Sequence, residues 1–508
     1  DDEFYRKNGE FYYEYVKILF SDKSIQSFSE LNSLDQKILE GIGIINHPVL
    51  FELLLASLTD FLNITDIKEI YEFSHFLNFF IFFVGLIFFY KLISKKFNSI
   101  YYGLFSVIVL FISPRIFAET FYNSRDIFFL SLFIFNIYAG FSFLEKQNLM
   151  TSIIFSLTSA LLIDAKIFGI VPPVLLLFFY FMNSLTKEKI KKYEVKFIFL
   201  IIPTTVLFMY VFWPYLWVDP IGNLLKGFED IIWQQNNLIL LNYYLGDYVS
   251  SINTPWHYRL VWFFVSTPTL VLFFFAIGFV LLLIQIINGL MKIDETNDEL
   301  WKNNDQMFNF YLFSILIVII VGTIKFNTSQ FGGWRHFYFL YPIVIIFSIL
   351  GFQLLIKSLK DFKYKLMVYL LVGVNFTYIV FWNYYYHPHQ QVYFNYITKN
   401  YAKENFELDY WGVSNLHSLR YILKNNENYP LKIGTISFSS LKENVLMLDE
   451  NNKRKIIIVY NLNDADFLID NYMKRIRKNF TIDENKYVKY HDIIVNGIPI
   501  NTIYKKIN

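Results

Sequence analysis

Long apolar runs broken by short polar punctuation dominate the first three quarters of the chain. A helix needs roughly 20 mostly apolar residues to cross a bilayer. Runs near 72–92, 98–114, 127–144, 149–165, 167–184, 196–214, 262–288, 307–325, 336–357 and 364–384 meet that need. Asp164 and Lys166 interrupt one apolar stretch, and Gly169 with Pro172-Pro173 follow at once. This stretch reads as two helices joined by a tight turn. The pattern predicts an all-α polytopic membrane protein with about ten visible spans.

The pattern changes near residue 385 and becomes polar and mixed. Lys432–Phe438, Lys455–Tyr460 and Tyr487–Ile494 have strand composition, whereas Ser414–Lys424 and Asp464–Arg477 read as helices. The expected organisation is therefore threefold: a first outer loop with amphipathic helices at 1–70, a transmembrane bundle at 71–384 with outer loop 215–260, and a small extramembrane α/β domain at 385–508. No internal repeat interrupts this plan.

Positive charge sets the orientation. Lys91, Lys95 and Lys96 follow the first span, and Lys146 follows the third. Lys187, Lys189, Lys191, Lys192 and Lys196 follow the fifth, and Lys357, Lys360, Lys363 and Lys365 separate the last two. These loops alternate, so all lie on one side, read as cytoplasmic. The intervening loops 1–70, 115–126, 164–169, 215–260 and 326–335, and the tail, then face outward. The chain opens on Asp1-Asp2-Glu3 rather than on a hydrophobic helix, so a preceding helix that begins in the cytoplasm is expected.

Composition narrows the classes. Of 508 residues, 55% are hydrophobic and only 17% charged, too few charges to clothe a soluble surface of this length. A net charge of +2 leaves no nucleic-acid footprint. The absence of cysteine excludes thiol chemistry, disulfides and thiolate metal sites. No P-loop, dinucleotide fingerprint, HExxH or GxSxG elbow occurs.

The unusual polar residues gather in the outward loops. Asp1-Asp2-Glu3 is either an ordinary charged flank or a catalytic acid group. Asp126, after Ser113-Pro114-Arg115 and Asn123-Ser124-Arg125, opens a strongly apolar helix, where dipole stabilisation is the plain reading. Asp164-Ala165-Lys166 puts two charges at the membrane boundary; snorkelling accounts for a lysine there, function for the pair. Gly332-Gly333-Trp334-Arg335-His336 suits a phosphate, or else anchors an aromatic belt. His47, before Pro48, is a weaker site. Loop 215–260 and its flank are rich in Trp, Tyr and Asn, which suits sugar stacking as well as an amphipathic interfacial helix.

In this order the motifs resemble the GT-C glycosyltransferases of the protein O-mannosyltransferase and lipid A aminoarabinose transferase type, a family 39-like group. The resemblance runs from Asp2-Glu3 and His47-Pro48 through Ser113-Pro114-Arg115, Asn123–Asp126, Asp164–Lys166, Pro255-Trp256-His257-Tyr258, Trp334-Arg335-His336 and Tyr341-Pro342 to Phe406–Gly412. It implies a GT-C type helical bundle. It implies Asp2 and Glu3 as the catalytic acid pair, Asp126 as a second acid, and Lys166 as a donor-phosphate contact, joined there by Arg335, His336 and Arg125. His47, Trp256 and His257 would touch other parts of the substrate. His47 stands where aminoarabinose transferases place a lysine, a departure that bears on sugar and acceptor.

The implied reaction is transfer of a hexosyl or pentosyl group from a polyprenyl-monophosphate sugar to an acceptor hydroxyl or phosphate. The acceptor is a glycolipid, a glycan or a protein. Asp2 acts as general base in a single inverting displacement, and fixed cations take the charge of the departing phosphate. Such a reaction requires no cofactor; a divalent ion held by Asp2 and Asp126 is the alternative arrangement. The expected setting is a bacterial inner membrane with the site facing the periplasm, and the partners are lipid and sugar rather than nucleic acid. The rival readings are a lipid or glycan transporter or flippase, a polymerase or ligase using a diphosphate donor, and a non-catalytic subunit.

Overall fold

The computed structural model describes residues 2–20, 49–186, 192–237, 239–291, 301–473 and 482–507. Asp1 and His47 lie outside the described residues, as does the side chain of Asp2.

The protein is mostly helical and integral to the membrane. Seven described helices are long and apolar enough to cross it: Ile67–Lys96, Ser124–Glu145, Ile167–Ser184, Thr269–Leu290, Asn304–Lys325, Arg335–Ser358 and Phe362–Tyr385. Ile100–Ile112 and Pro114–Tyr122 make an eighth if a pair bent by 68° counts as one span. Leu149–Ala165 and Lys196–Phe212 are shorter apolar helices.

In chain order the helices that position the site are α1 (Asp2–Phe20), α2 (Leu50–Phe61), α3 (Ile67–Lys96), α4 (Ile100–Ile112), α5 (Pro114–Tyr122), α6 (Ser124–Glu145) and α7 (Leu149–Ala165). Later come α8 (Thr269–Leu290), α9 (Tyr341–Ser358) and α10 (Phe362–Tyr385). Local chemistry sets several of their ends. Asp66 caps α3 by accepting from Lys68 N and Glu69 N, and Lys95 and Lys96 close it against the carbonyl end. Asn148 and Thr151 form a capping box at α7. Pro114 occupies the first position of α5, where its missing N–H costs nothing, so the chain turns at Ser113 and restarts at once.

The core sits around α6. Its span is 83% buried, whereas those of α8 and α10 are each 17% buried and present their side chains to lipid. Phe129 and Phe133 of α6 both meet Phe339 edge-on, at 4.9 and 5.3 Å between ring centres. α8 and α9 pack through reciprocal glycines. A Cβ on Gly278 would lie 1.9 Å from the Phe347 carbonyl oxygen, and one on Gly351 2.1 Å from that of Phe274. Small residues at such crossings let backbones touch where no water drives association.

The tail carries a five-stranded sheet in the order β4-β3-β5-β7-β6. The strands are β3 (Leu431–Thr435), β4 (Ile456–Ile458), β5 (Phe467–Asp470), β6 (Tyr487–Val495) and β7 (Ile498–Lys506), following a separate hairpin of β1 (Leu241–Tyr244) and β2 (Asp247–Ser250). β3 pairs parallel with β4 and β5, while β7 pairs antiparallel with β5 and β6. Leu419 and Ile422, from helix α11 (Val413–Lys424), pack on Ile433, Phe467, Ile469 and Ile503.

Two sequence expectations are corrected. Residues 115–126 are no open loop: α5 fills most of that segment and buries Arg115, Ile116, Ala118 and Glu119. The helix expected over Asp464–Arg477 is instead strand β5 at Phe467–Asp470, buried along its whole length. A central strand covered on both faces reads as an unbroken apolar run, which periodicity alone does not separate from a helix. Residues 474–477 of that expectation lie outside the described residues.

Candidate active site

Three helix ends converge at the face of the bundle opposite the lysine-rich loops. α6 begins there with Asn123 as its cap, whose side-chain oxygen accepts from Asp126 N at 3.0 Å. That cap places Asp126 in the first turn, where the helix dipole favours a carboxylate. α7 ends there, and its C-cap is Lys166. The Gly332–Arg335 turn enters the span at Arg335–Ser358 there.

These ends bring four of the sequence-marked residues together. The Asp126 side chain is only 3% exposed. Lys166 Nζ pairs with its Oδ1. Arg335 Nη1 lies 3.6 Å from Oδ2, and His336 Nδ1 3.6 Å from Oδ1. The Arg335 guanidinium is also walled by the rings of Phe331, Tyr410 and Trp411, at 5.0, 5.0 and 5.1 Å. Excluding water in this way strengthens every charge–charge contact inside.

Asp164 does not pair with its near neighbour Lys166. It is buried at 1% exposure, and neither carboxyl oxygen has a hydrogen-bond partner among the described residues. Lys166 turns instead to α6.

The first turn of α1 covers the cluster from one side. The Arg125 guanidinium lies 3.6 Å from the centre of the Tyr5 ring. Glu3 is partly exposed and faces outward, 3.2 Å from Lys7 Nζ and 3.9 Å from Lys442 Nζ of the tail. Its hydrogen bond to Lys7, helped by the Lys442 and Lys7 charges, holds its carboxyl below the usual range. Asp2 is the first described residue of α1.

Trp256 and His257 stand apart from Asp126. Trp256 is exposed. His257 Nδ1 shares a 2.6 Å hydrogen bond with Tyr244 Oη, and the Tyr244 ring packs 4.8 Å from that of Tyr258. Tyr258 Oη in turn accepts from Gly333 N at 3.3 Å, so this chain of contacts braces the Gly332–Arg335 turn from outside. Loop 215–260, expected to overlie the site, reaches the tail through its β1–β2 hairpin, where Tyr244 bridges to Phe406.

Sequence reasoning passed over one buried carboxylate. Glu119 accepts from Tyr338 Oη and from Asn123 Nδ2, each at 2.6 Å. Asn123 Nδ2 donates in addition to Asp126 Oδ2 at 2.9 Å, so the two carboxylates share one amide. The signal was legible: Arg115, Glu119 and Asn123 recur every four residues, the spacing of one helix face. Among the described residues no group of three or more His, Asp or Glu side chains is placed to hold a metal ion. The close neighbours of Asp126 are Lys166, Arg335, His336 and the Asn123 amide.

No known family profile matches this chain, and no curated protein is similar to it. Among solved structures it is similar to the archaeal oligosaccharyltransferase AglB from Archaeoglobus fulgidus, determined in complex with an inhibitory peptide and a dolichol-phosphate, at 10% identity and a TM-score of 0.44. The alignment covers 84% of this chain and 61% of that one, less than two thirds of its length.

Proposed function

We propose that this chain is a GT-C type glycosyltransferase, which moves a sugar from a polyprenyl-monophosphate donor to an acceptor hydroxyl or phosphate at the outer membrane face. One observation carries the reading. Lys166, Arg335 and His336 surround the buried Asp126 at the outer rim of an apolar bundle, where a lipid phosphate lies when its tail is in the membrane.

In this reading the donor phosphate docks on Lys166 and Arg335, with His336 beside them. The acceptor oxygen attacks the anomeric carbon as its proton passes to the carboxylate of Asp2 at the start of α1. The bond from that carbon to the phosphate oxygen breaks, its electron pair leaves with the polyprenyl phosphate, and the anomeric centre inverts. Charge grows on the departing phosphate, and cations already fixed in place stabilise it without reorganisation. Asp126 acts as a positioning residue: it holds the two cations aimed at one point when no phosphate is bound. The setting this implies is a bacterial inner membrane with a periplasmic site.

The test uses the full chain in proteoliposomes with radiolabelled polyprenyl-phosphate hexoses and pentoses. Transfer or sugar release by the wild type, lost in Lys166→Ala and in Asp2→Asn, is the expected result. No turnover with any donor, together with lipid translocation across the vesicle, would overturn the enzyme in favour of a flippase.

A further inference from the structure

The Arg335 guanidinium lies in the Asp126 cluster, yet few polar contacts hold it there. Its Nε has no hydrogen-bond partner among the described residues, and Nη1 meets Asp126 Oδ2 only at 3.6 Å, beyond hydrogen-bond reach. The turn that carries it contains Gly332 and Gly333, with φ of +67° and +71°. A long side chain on such a turn has many rotamers open to it, and fixing one of them needs partners. Here the partners are ring faces. Phe331, Tyr410 and Trp411 have their ring centres 5.0, 5.0 and 5.1 Å from the guanidinium carbon. Two of these three rings come from the tail.

The strip that carries the two tail rings is itself fixed on both sides. Asp409 is fully buried and accepts from Gln391 Nε2, just after α10, at 3.0 Å. It also accepts from Val413 N and Ser414 N, at the start of α11, at 3.2 and 2.9 Å. Its carbonyl accepts from Asn471 Nδ2, just past β5, at 3.0 Å. Upstream, the Phe406 ring lies 4.9 Å from that of Trp262, and Glu407 N donates to the Tyr243 carbonyl at 3.1 Å. Downstream, Gly412 has φ of +68°, and a Cβ there would lie 2.9 Å from that of Ser439. Tyr410 and Trp411 therefore sit on a frame that both the bundle and the tail sheet hold.

From that frame the two rings touch both sides of the cluster. The Tyr410 ring presses on the Arg335 turn, where a Cβ on Gly332 would lie 2.7 Å from it. The Trp411 ring lies 5.6 Å from that of Tyr122, the last residue of α5, next to the Asn123 that caps Asp126. Ring faces also hold a guanidinium in a particular way. They attract its charge without occupying its N–H groups. Protein acceptors in the same place would take up the donors that a phosphate needs. Arg335 is thus fixed in direction while its N–H fork stays open.

We propose that Tyr410 and Trp411 are positioning residues, through which the tail holds Arg335 beside Asp126 with its N–H groups directed at the lipid phosphate of the donor. The proposal rests on the glycosyl-transfer reading. It gives the tail a part in the reaction without contact to the reacting atoms: the tail acts through Arg335.

The test uses the full chain in nanodiscs and reads two quantities, the Kd of bare polyprenyl phosphate and kcat/KM for transfer from polyprenyl-phosphate sugars. Tyr410→Leu and Trp411→Leu are made singly and again in an Arg335→Ala background. Tyr410→Phe and Trp411→Phe keep a ring in place. Both positions are partly exposed, so neither leucine opens a cavity in the core, and two independent variants guard against one that fails to fold. Each leucine is expected to weaken phosphate binding and transfer about tenfold, the scale of one desolvated cation–π contact. In the Arg335→Ala background the same leucine is expected to cause no further loss of binding, because the residue it acts through is gone. Each phenylalanine is expected to keep most of the binding and transfer that the leucine loses. Binding losses that add in full to that of Arg335→Ala overturn the proposal. So do leucine variants that lower the melting temperature alone. Failure of the underlying reading looks different: the wild type then binds the bare lipid phosphate but transfers sugar from no donor, and the binding cycle alone decides whether the rings act through Arg335. A wild type that binds no lipid phosphate overturns both.

Discussion

The two ends of the bundle use charge in opposite ways. At one end Lys91, Lys146, Lys357, Lys360 and Lys363 are exposed, each free to meet water or lipid headgroups. At the other, Lys166 and Arg335 are drawn beneath the surface onto the buried Asp126. Exposed lysines contribute little energy individually and act through their number, as an orientation signal. Buried, mutually held charges carry a desolvation cost that only partners offset. A membrane protein retains such a group chiefly where it works. The difference separates topology from chemistry on one molecule.

The largest expected effect comes from removing the anion. Asp126→Ala leaves Lys166 and Arg335 facing each other without compensation. Unfolding in detergent should become easier by about 3–5 kcal/mol, the usual cost of orphaning a buried charge, and transfer should vanish. A melting temperature equal to the wild type would mean the cluster is as well solvated as the lysine end, and the contrast would collapse.

Arg335→Lys sharpens it further. Lysine keeps the charge but loses the planar fork that lies on Tyr410 and Trp411. Transfer should fall about 10²-fold, the scale of one lost transition-state donor, with the fold retained by circular dichroism. Unchanged kcat would remove Arg335 from the reaction.

Glu119→Gln probes the shared amide. Glutamine still accepts from Tyr338, but its NH2 meets the Asn123 amide that Glu119 now accepts from. One hydrogen bond is lost, worth about 1 kcal/mol, and Asp126 loses part of its support. A modest drop in melting temperature with a several-fold drop in transfer is expected. A drop in stability alone would make Glu119 purely structural.

The junction between bundle and tail should respond to acid. His389 Nε2 faces His417 Nδ1 at 3.3 Å with the rings stacked. Burial lowers the His389 pKa from 6.5 to about 4, and burial lowers that of His417 as well. The unfolded chain therefore binds more protons between these values. The stabilisation is fully present above pH 6.5 and is lost as pH falls toward about 4. Melting curves across that window should show it, and His389→Phe should flatten the dependence; an unchanged slope in the variant would place the acid sensitivity elsewhere.

The smallest effect belongs to the other end. Lys360→Gln with Lys363→Gln should change stability by less than about 0.5 kcal/mol and leave transfer untouched. What should shift is insertion, read from the protease accessibility of a C-terminal tag. Loss of transfer in correctly oriented protein would show that this end is not merely topological.

Some of this was legible in the order of residues. An apolar run of spanning length is a local property, because hydrocarbon admits only helices with their own backbone bonds satisfied. The spans, the polar tail and the strands near residues 431, 456 and 487 followed from such runs. The β6–β7 hairpin was not among the sequence expectations, although Asn496-Gly497, with φ of +50° and +81°, suits a tight turn. Strand β5 was not legible, because burial on both faces erases the alternation that marks a strand.

The candidate site divides in the same way. Sequence alone marked Asp126, Lys166, Arg335 and His336 as polar residues at the edges of apolar runs. It also suggested that Asp164 and Lys166 act as a pair. Only the tertiary structure turned Lys166 from Asp164 to Asp126, because that choice depends on which helix end lies across from α7. It likewise brought Tyr338 onto Glu119 and seated Tyr410 and Trp411 on Arg335 from some 75 residues away in sequence. Hydropathy is written residue by residue and survives any arrangement of the helices. A charge contact exists only once separate helix ends are packed within a few ångströms of each other, and that is decided by the fold.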